Sequence, residues 1–324
     1  MGSNLVESLL DDGHAVTVLG RDAGRIRMKF GSRAGVALLS GPDDLAWCEE
    51  LGAHEVIVNL AGAQAVGRRF TPGSKQQIRD SRVKLTRNLI EALARSSRRP
   101  ARLISASAVG YYGPRSPAVE LDESSSVGSG FLAELCHEWE SAALAAHDLG
   151  ISVAVLRFGV VLGQGGGALP AMVRPFRLGL GGKIGDGRQD FSFVSLSDAI
   201  RAVRFCIDSP TLTGSINVTA PSPVTGKQLA SALGRALHRP ALLPVPALAL
   251  RLLYGEGAEA LISGQKAMPK RLIGAGFRWK HPTIELALAE ALVTGSEGSQ
   301  LQREQKRWSS TSHQSNGQRR ASGK

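Results

Sequence analysis

The residues from Leu103 to Glu140 constrain most strongly what this chain can fold into. They begin with an apolar run that ends at Ser105 and continue through a turn of small residues that carries Ser107. The stretch ends in apolar side chains at helical spacing. This order predicts a buried strand, a turn and a helix. Ligands of open α/β sheets bind at the carboxyl ends of the strands, so we expect chemistry near Ser107.

Further strands and helices are predicted on both sides of that stretch. Strands are expected at His14–Leu19, 35–39, 55–60, 151–158 and 216–218, and helices at Asn4–Leu10, 75–95 and 225–237. The 55–60 run is apolar without alternation, as in a parallel strand buried on both faces. One row of the 75–95 helix is expected to face inward: Ile78, Leu85, Leu89 and Leu93.

Seven stretches of the chain resemble the extended short-chain dehydrogenase/reductases, and in particular an atypical epimerase-family branch that includes YfcH-type bacterial proteins and a plastid division homologue. They are VIVNLAG (56–62), DSRVKLTRNLIEAL (80–93), SASAVGYYG (105–113), FLAELC…WE (131–140), LRFGVVLG…GG (156–166), PFRLGLGG (175–182) and GQKAMPKRL (264–272). The resemblance implies an α/β fold: a Rossmann-like doubly wound parallel sheet with a smaller C-terminal substrate lobe. The implied dinucleotide-binding domain is 1–160 with 185–220, and the lobe is 161–184 with 221–292.

The acid/base pair that this resemblance implies is missing. The family uses Tyr-x-x-x-Lys, whereas Phe131 and Leu135 occupy those positions here, and neither can exchange a proton. Ser107 matches the catalytic serine of the family. Tyr112 is a candidate proton donor, although packing beneath a loop is the alternative for its ring. Cys136 shares an apolar helix face, which favours a core position over a nucleophile.

The cofactor site implied by the resemblance is incomplete at its start. Gly2 matches the last glycine of the dinucleotide-binding loop, and the first strand and the other loop glycines do not precede it. We expect a truncated sequence rather than a defective site, because losing a central strand exposes apolar edges. Arg21 follows the second strand, where an arginine accommodates the 2′-phosphate of NADP, so NADP (NADPH) is the expected cofactor. A solvated surface arginine is the alternative.

Other expected cofactor contacts follow from the same resemblance. The small residues of the turn Leu60, Ala61 and Gly62 allow the backbone to approach a cofactor closely, although a tight turn alone would need the same residues. Ser105 is assigned to the same site. Arg82 occupies a position near the nicotinamide in the family, where it would contact a phosphate or form a structural ion pair.

Charge and composition exclude some classes of function. The net charge of +11 is partly carried by residues 293–324, which are rich in Ser, Gln, Gly and basic residues and are predicted to be a disordered tail. No nucleic-acid-recognition fold accompanies this tail, so nucleic-acid binding is not expected. Three widely spaced cysteines give no metal site. No apolar run reaches the roughly 20 residues of a membrane helix.

Association with nucleic acid through the basic tail is a third class of function and the least expected. Two functions stand ahead of it. One is an NADP-dependent oxidoreductase or epimerase that acts on an unidentified small molecule. The other is a non-catalytic protein that keeps the fold, binds NADPH and works through a protein partner. The cytoplasm is the default expected location, and a plastid is the alternative if a targeting segment is missing from the sequence.

Overall fold

A computed structural model describes residues 1–65, 69–117, 119–164 and 167–292. The predicted tail, 293–324, lies outside them. The strands are β1 (Thr17–Gly20), β2 (Gly35–Leu38), β3 (Val56–Asn59), β4 (Arg102–Ala108), β5 (Glu120–Leu121), β6 (Ser152–Phe158), β7 (Val160–Leu162), β8 (Asp190–Phe191), β9 (Phe193–Ser195), β10 (Gly214–Val218), β11 (Val224–Thr225) and β12 (Lys266–Ala267). The helices are α1 (Gly2–Asp11), α2 (Ala23–Phe30), α3 (Leu45–Gly52), α4 (Pro72–Arg79), α5 (Leu85–Arg95), α6 (Phe131–Leu144), α7 (Leu169–Arg177), α8 (Leu196–Asp208), α9 (Gly226–Leu237), α10 (Ala247–Tyr254), α11 (Glu259–Ile262), α12 (Lys270–Gly274) and α13 (Ile284–Leu292).

Parallel strands with helical crossovers form the centre of the fold. Four strands pair in the order β10-β6-β4-β3, and all of these pairs are parallel. Strands β1 and β2 form a separate parallel pair, and β1 has no ladder to β3 in the described part of the chain. Helices between successive parallel strands produce the predicted Rossmann-like α/β architecture.

The strand register determines which side chains share a row. Ser107 of β4 lies opposite Arg157 of β6, and Arg157 lies opposite Asn217 of β10. Because neighbouring residues in one row point to the same face of a sheet, these three polar side chains lie on one face. At the other edge, Asn59 of β3 lies opposite Ser105 of β4.

The helical segment from 72 to 95 differs from the single helix that the sequence predicts. Helix α4 begins with a capping box in which Thr71 and Ser74 bond each other's backbone N–H groups. A π-helical turn, Asp80–Lys84, then separates α4 from α5. The turn buries Val83, while Leu85, which was expected to face inward, is only partly buried. The extra residue of the turn therefore shifts the buried row.

Apolar clusters pack on both faces of the sheet and in the C-terminal part. One cluster joins Ile104 and Leu156 to Trp139 of α6, and a second joins Leu103 to Leu93 of α5. A third cluster packs α7, α9 and α13 together and lies outside the four-stranded sheet. The division into a dinucleotide domain and a lobe at the boundaries given above stays a prediction. Among the described residues, no helix is both long and apolar enough to cross a membrane.

Candidate functional site

The turn after β3 is fixed by buried hydrogen bonds. Asn59 Oδ1 accepts from the Ala61 N–H at 3.2 Å, and Asn59 Nδ2 donates to Thr86 Oγ1 at 2.9 Å. Trp139 Nε1 donates to the same Thr86 oxygen at 3.1 Å. Strand β3 is thereby tied to α5 and α6. The predicted cofactor turn, Leu60-Ala61-Gly62, leaves the sheet with a defined direction.

Two predicted cofactor residues meet at this turn. A Cβ added to Gly62 would lie 3.0 Å from Arg82 Cζ, so the guanidinium packs on the glycine backbone. The guanidinium also contacts Trp139, 5.2 Å from the ring centroid. Burial lowers the pKa of Arg82, which nonetheless remains charged because arginine has so high an intrinsic pKa. The end of β3 therefore carries a partly buried positive charge.

Ser107 lies in a buried ionic network. The side chain is 3% exposed, and its Oγ donates to Glu140 Oε1 at 2.6 Å. Arg157 binds both carboxylate oxygens of Glu140 at 2.8 Å. Burial opposes the charge on Arg157, yet its hydrogen bonds to Glu140 raise the Arg157 pKa above its usual range. The hydroxyl hydrogen of Ser107 is thus held by Glu140.

The predicted proton donor Tyr112 lies in a buried, hydrogen-bonded environment. The side chain is fully buried, and its hydroxyl lies 2.7 Å from Asn217 Oδ1 and 2.9 Å from the Asp122 carbonyl oxygen. Arg157 Nη1 donates to the hydroxyl at 3.0 Å. Burial raises the pKa of Tyr112 to about 12. The tyrosine completes the network around Arg157.

The side chains at the positions of the missing acid/base pair also lie in apolar surroundings. Phe131 contacts the Phe70 ring, with centroids 5.1 Å apart, and Leu135 is 2% exposed in the main core cluster. Cys136 is 4% exposed, and burial raises the pKa of its thiol to about 12. The cysteine is a core residue, as its helix face predicts.

The remaining predicted cofactor residues are more dispersed. Gly2 is the first residue of α1. Arg21 follows β1, is exposed and forms no ion pair within the described residues. Ser105 is fully buried, and its Oγ has no hydrogen-bond partner in the described part of the chain. The structure brings Gly62 and Arg82 together, and the register places Ser105 opposite Asn59, whose side chain holds the turn.

These residues fit the polar groups of a dinucleotide. Gly62 and the Arg82 guanidinium lie together at the turn, the Ser105 hydroxyl has no hydrogen-bond partner among the described residues, and Arg21 presents an exposed cation beyond β1. A bound nicotinamide cofactor would supply hydride-transfer chemistry. The described residues hold no group of three or more His, Cys, Asp or Glu that could bind a metal ion.

Sequence reasoning missed the buried pair of Glu140 and Arg157. The signal was present: a glutamate on the apolar face of a helix and an arginine within the apolar run of β6. Charged residues are rarely buried unless they are paired, so two such residues of opposite sign could have been matched.

Comparison with known proteins places this geometry in context. Residues 1–218 match the NAD dependent epimerase/dehydratase family, and residues 245–291 match a domain of unknown function, DUF1731. The chain is 43% identical over 258 residues to the epimerase family protein Mb2239 of Mycobacterium bovis, covering 77% of this chain and 85% of that protein. It is 37% identical over 290 residues to the chloroplastic SDR39U1 homolog of Arabidopsis thaliana, covering 89% and 82%. The crystal structure of human SDR39U1 (isoform 2) with NADPH superposes with a TM-score of 0.78 at 32% identity, covering 90% of this chain and 95% of that one.

Proposed function

The chain belongs to the NAD dependent epimerase/dehydratase family, and from that premise we propose that it is an NADP-dependent oxidoreductase or epimerase acting on a small molecule. The observation that carries the proposal is the fixed turn after β3, where Gly62 and the Arg82 guanidinium form a surface for a dinucleotide. The human relative of similar fold has been crystallised with NADPH, which supports the same class of cofactor here.

The preference for NADP over NAD rests on Arg21. Its exposed guanidinium follows β1, and an arginine in this position accommodates the 2′-phosphate that distinguishes NADP. The other proposed cofactor contacts are Gly2, Leu60, Ala61, Gly62, Arg82 and Ser105. Ser107 and Tyr112 are the proposed catalytic residues, and both hydroxyls belong to the hydrogen-bonded network of Glu140 and Arg157.

A second candidate is favoured by the apolar replacement of the acid/base pair. Phe131 and Leu135 are both buried among apolar side chains and neither can donate a proton. A protein with this composition can bind NADPH and use the bound state to recruit a protein partner without turning over a substrate. In this alternative the cofactor has a structural or sensing role.

Calorimetric titration with NADPH and NADH tests the proposed cofactor. We expect the chain to bind both dinucleotides. Arg21→Gln should weaken the affinity for NADPH about tenfold, which is roughly 1.4 kcal/mol, and leave the affinity for NADH unchanged. Arg27→Gln, which removes another exposed arginine a few residues along, is the matched control. If the wild-type chain binds neither dinucleotide, the proposed function is wrong.

Turnover separates the two candidates. The protein is incubated with NADPH and a panel of aldehydes, ketones and keto acids, and the absorbance of the reduced nicotinamide is followed. Oxidation of NADPH with any of them supports the oxidoreductase. Tight binding with no oxidation by any compound favours the non-catalytic alternative.

A further inference from the structure

Three cations of one helical face point toward α6. Lys75 Nζ lies 5.1 Å and Arg79 Cζ 6.0 Å from the Phe131 ring centroid, and Arg82 Cζ lies 5.2 Å from that of Trp139. Their spacing of four and three residues keeps them on the same side of the segment. Of the three, Arg82 lies against Gly62, which follows the carboxyl end of β3.

Two of these charges are neutralised and the third is not. Lys75 Nζ lies 2.5 Å from Glu256 Oε2, and Arg79 Nη2 lies 3.0 Å from Glu138 Oε1. Arg82 takes part in none of the ion pairs among the described residues. Its hydrogen bonds there come from Nη1 alone, to Ser81 Oγ at 3.2 Å and to the Ile78 carbonyl at 3.5 Å. Among the described residues, the Nε and Nη2 groups of this guanidinium have no hydrogen-bond partner.

The unpaired guanidinium is held in place from three sides. Gly62 lies against it, and Trp139 faces it from α6. Ser81, the preceding residue of the π-helical turn, accepts a hydrogen bond at 3.0 Å from the Ala63 N–H. The turn that orients Arg82 thus also fixes the loop after β3. π-Helical turns inside α-helices occur frequently at functional sites.

We propose that Arg82, besides its proposed contact with the dinucleotide, uses Nε and Nη2 to bind an oxyanion group of the substrate, a carboxylate or a phosphate, at the end of β3. The inference rests on the proposed function, because it assigns a substrate class to the same site. A guanidinium matches both oxygens of such a group, and partial burial strengthens each charge-assisted hydrogen bond. With Leu135 in the position of the family's lysine, Arg82 supplies the local positive charge from a different helix.

Binding of inorganic phosphate to the full chain, without a dinucleotide and at constant ionic strength, tests the Arg82 site. Arginine Nε–H NMR signals report which guanidinium responds. The expected result is saturable binding that shifts the Arg82 signal, is at least tenfold weaker in Arg82→Gln, and is partly kept in Arg82→Lys. Arg87→Gln, an exposed arginine of the same helical segment, should bind as the wild type does. Equal affinities of wild type and Arg82→Gln, or no saturable binding, would overturn the proposal.

The same titration on protein saturated with NADPH separates the two sources of an oxyanion. Unchanged phosphate affinity supports a substrate group at Arg82. Displacement of phosphate by NADPH would show that a dinucleotide phosphate occupies the site, and the substrate assignment would then be wrong. If phosphate binds at Arg82 while neither dinucleotide binds, the proposed function fails and the oxyanion site stands.

Discussion

Replacing Glu140 by glutamine is expected to destabilise the chain strongly. Glu140 and Arg157 have side chains that are only 5% and 4% exposed, and they share two hydrogen bonds of 2.8 Å. Glu140→Gln keeps the shape but leaves the guanidinium buried without a counter-charge. It also turns an acceptor of the Ser107 hydrogen bond into a neutral amide. Removing one partner of such a buried pair costs about 3–5 kcal/mol.

The assay is urea unfolding followed by circular dichroism. Glu138→Gln is the matched control, because Glu138 is two residues away on α6 and pairs with Arg79 through side chains that are 36% and 34% exposed. Loss of an exposed pair costs at most about 1 kcal/mol. We expect the unfolding free energy of Glu140→Gln to fall well below that of the control.

A double variant tests the reason for the loss. Glu140→Met with Arg157→Leu removes both charges, and apolar replacement of a whole buried pair is often neutral. The double variant is expected to be more stable than Glu140→Gln alone. An unfolding free energy of Glu140→Gln within about 1 kcal/mol of that of Glu138→Gln would refute the account of a buried, uncompensated charge.

Three other outcomes follow from particular contacts. Gly62→Ala should weaken dinucleotide binding at least about tenfold, roughly 1.4 kcal/mol, because the new Cβ would displace the Arg82 guanidinium; calorimetry measures this. Burial raises the pKa of Cys136 to about 12, so at pH 8 the folded chain should leave this thiol unmodified by a chromogenic thiol reagent. The hydrogen bond from Lys270 lowers the pKa of Asp122 in the folded chain. The ionised carboxylate therefore stabilises the fold fully above the pKa of unfolded Asp, about 3.9. This stabilisation is lost as the pH falls through the lower pKa of the folded chain. Asp122→Asn should therefore cost up to about 1 kcal/mol at pH 7 and progressively less below pH ~4, as followed by thermal unfolding.

Each of these outcomes has a control. Gly73→Ala adds a Cβ where no atom lies within 4 Å, and dinucleotide affinity should not change. Denaturant should make the buried thiols, Cys48, Cys136 and Cys206, react together. Glu120→Gln removes the exposed partner of Lys266 and should change stability less than Asp122→Asn does. The first argument is contradicted if Gly62→Ala binds the dinucleotide as tightly as the wild type. The second is contradicted if a thiol of the folded chain reacts fast, and the third if the effect of Asp122→Asn does not change with pH.

The parallel sheet could be predicted from sequence because its strands carry an unbroken apolar signal. Strand β6 extends over Ser152–Phe158, one residue from the predicted start, and β4 extends three residues beyond the predicted Ser105. Strand β1 begins at Thr17 rather than at His14. Strand ends depend on which neighbour offers hydrogen-bond partners, and a single sequence does not contain that information.

The site was predictable only in part. Gly62 and Arg82 were both expected near a cofactor, and the structure brings them into contact. The pairing of Glu140 with Arg157 depends on the sheet register and on how α6 lies over it, neither of which a motif encodes. For the same reason the sequence could not show that Tyr112 would be enclosed by this pair.

The π-helical turn, Asp80–Lys84, also determines how α4 is rotated about its axis relative to α5. One residue of a helix corresponds to a rotation of about 100°. Deleting a residue from the turn would leave α5 packed on the sheet and rotate α4 by that angle, carrying Lys75 and Arg79 away from Phe131. A single codon therefore separates two registers of this segment, and only the present one keeps Lys75 and Arg79 beside Phe131.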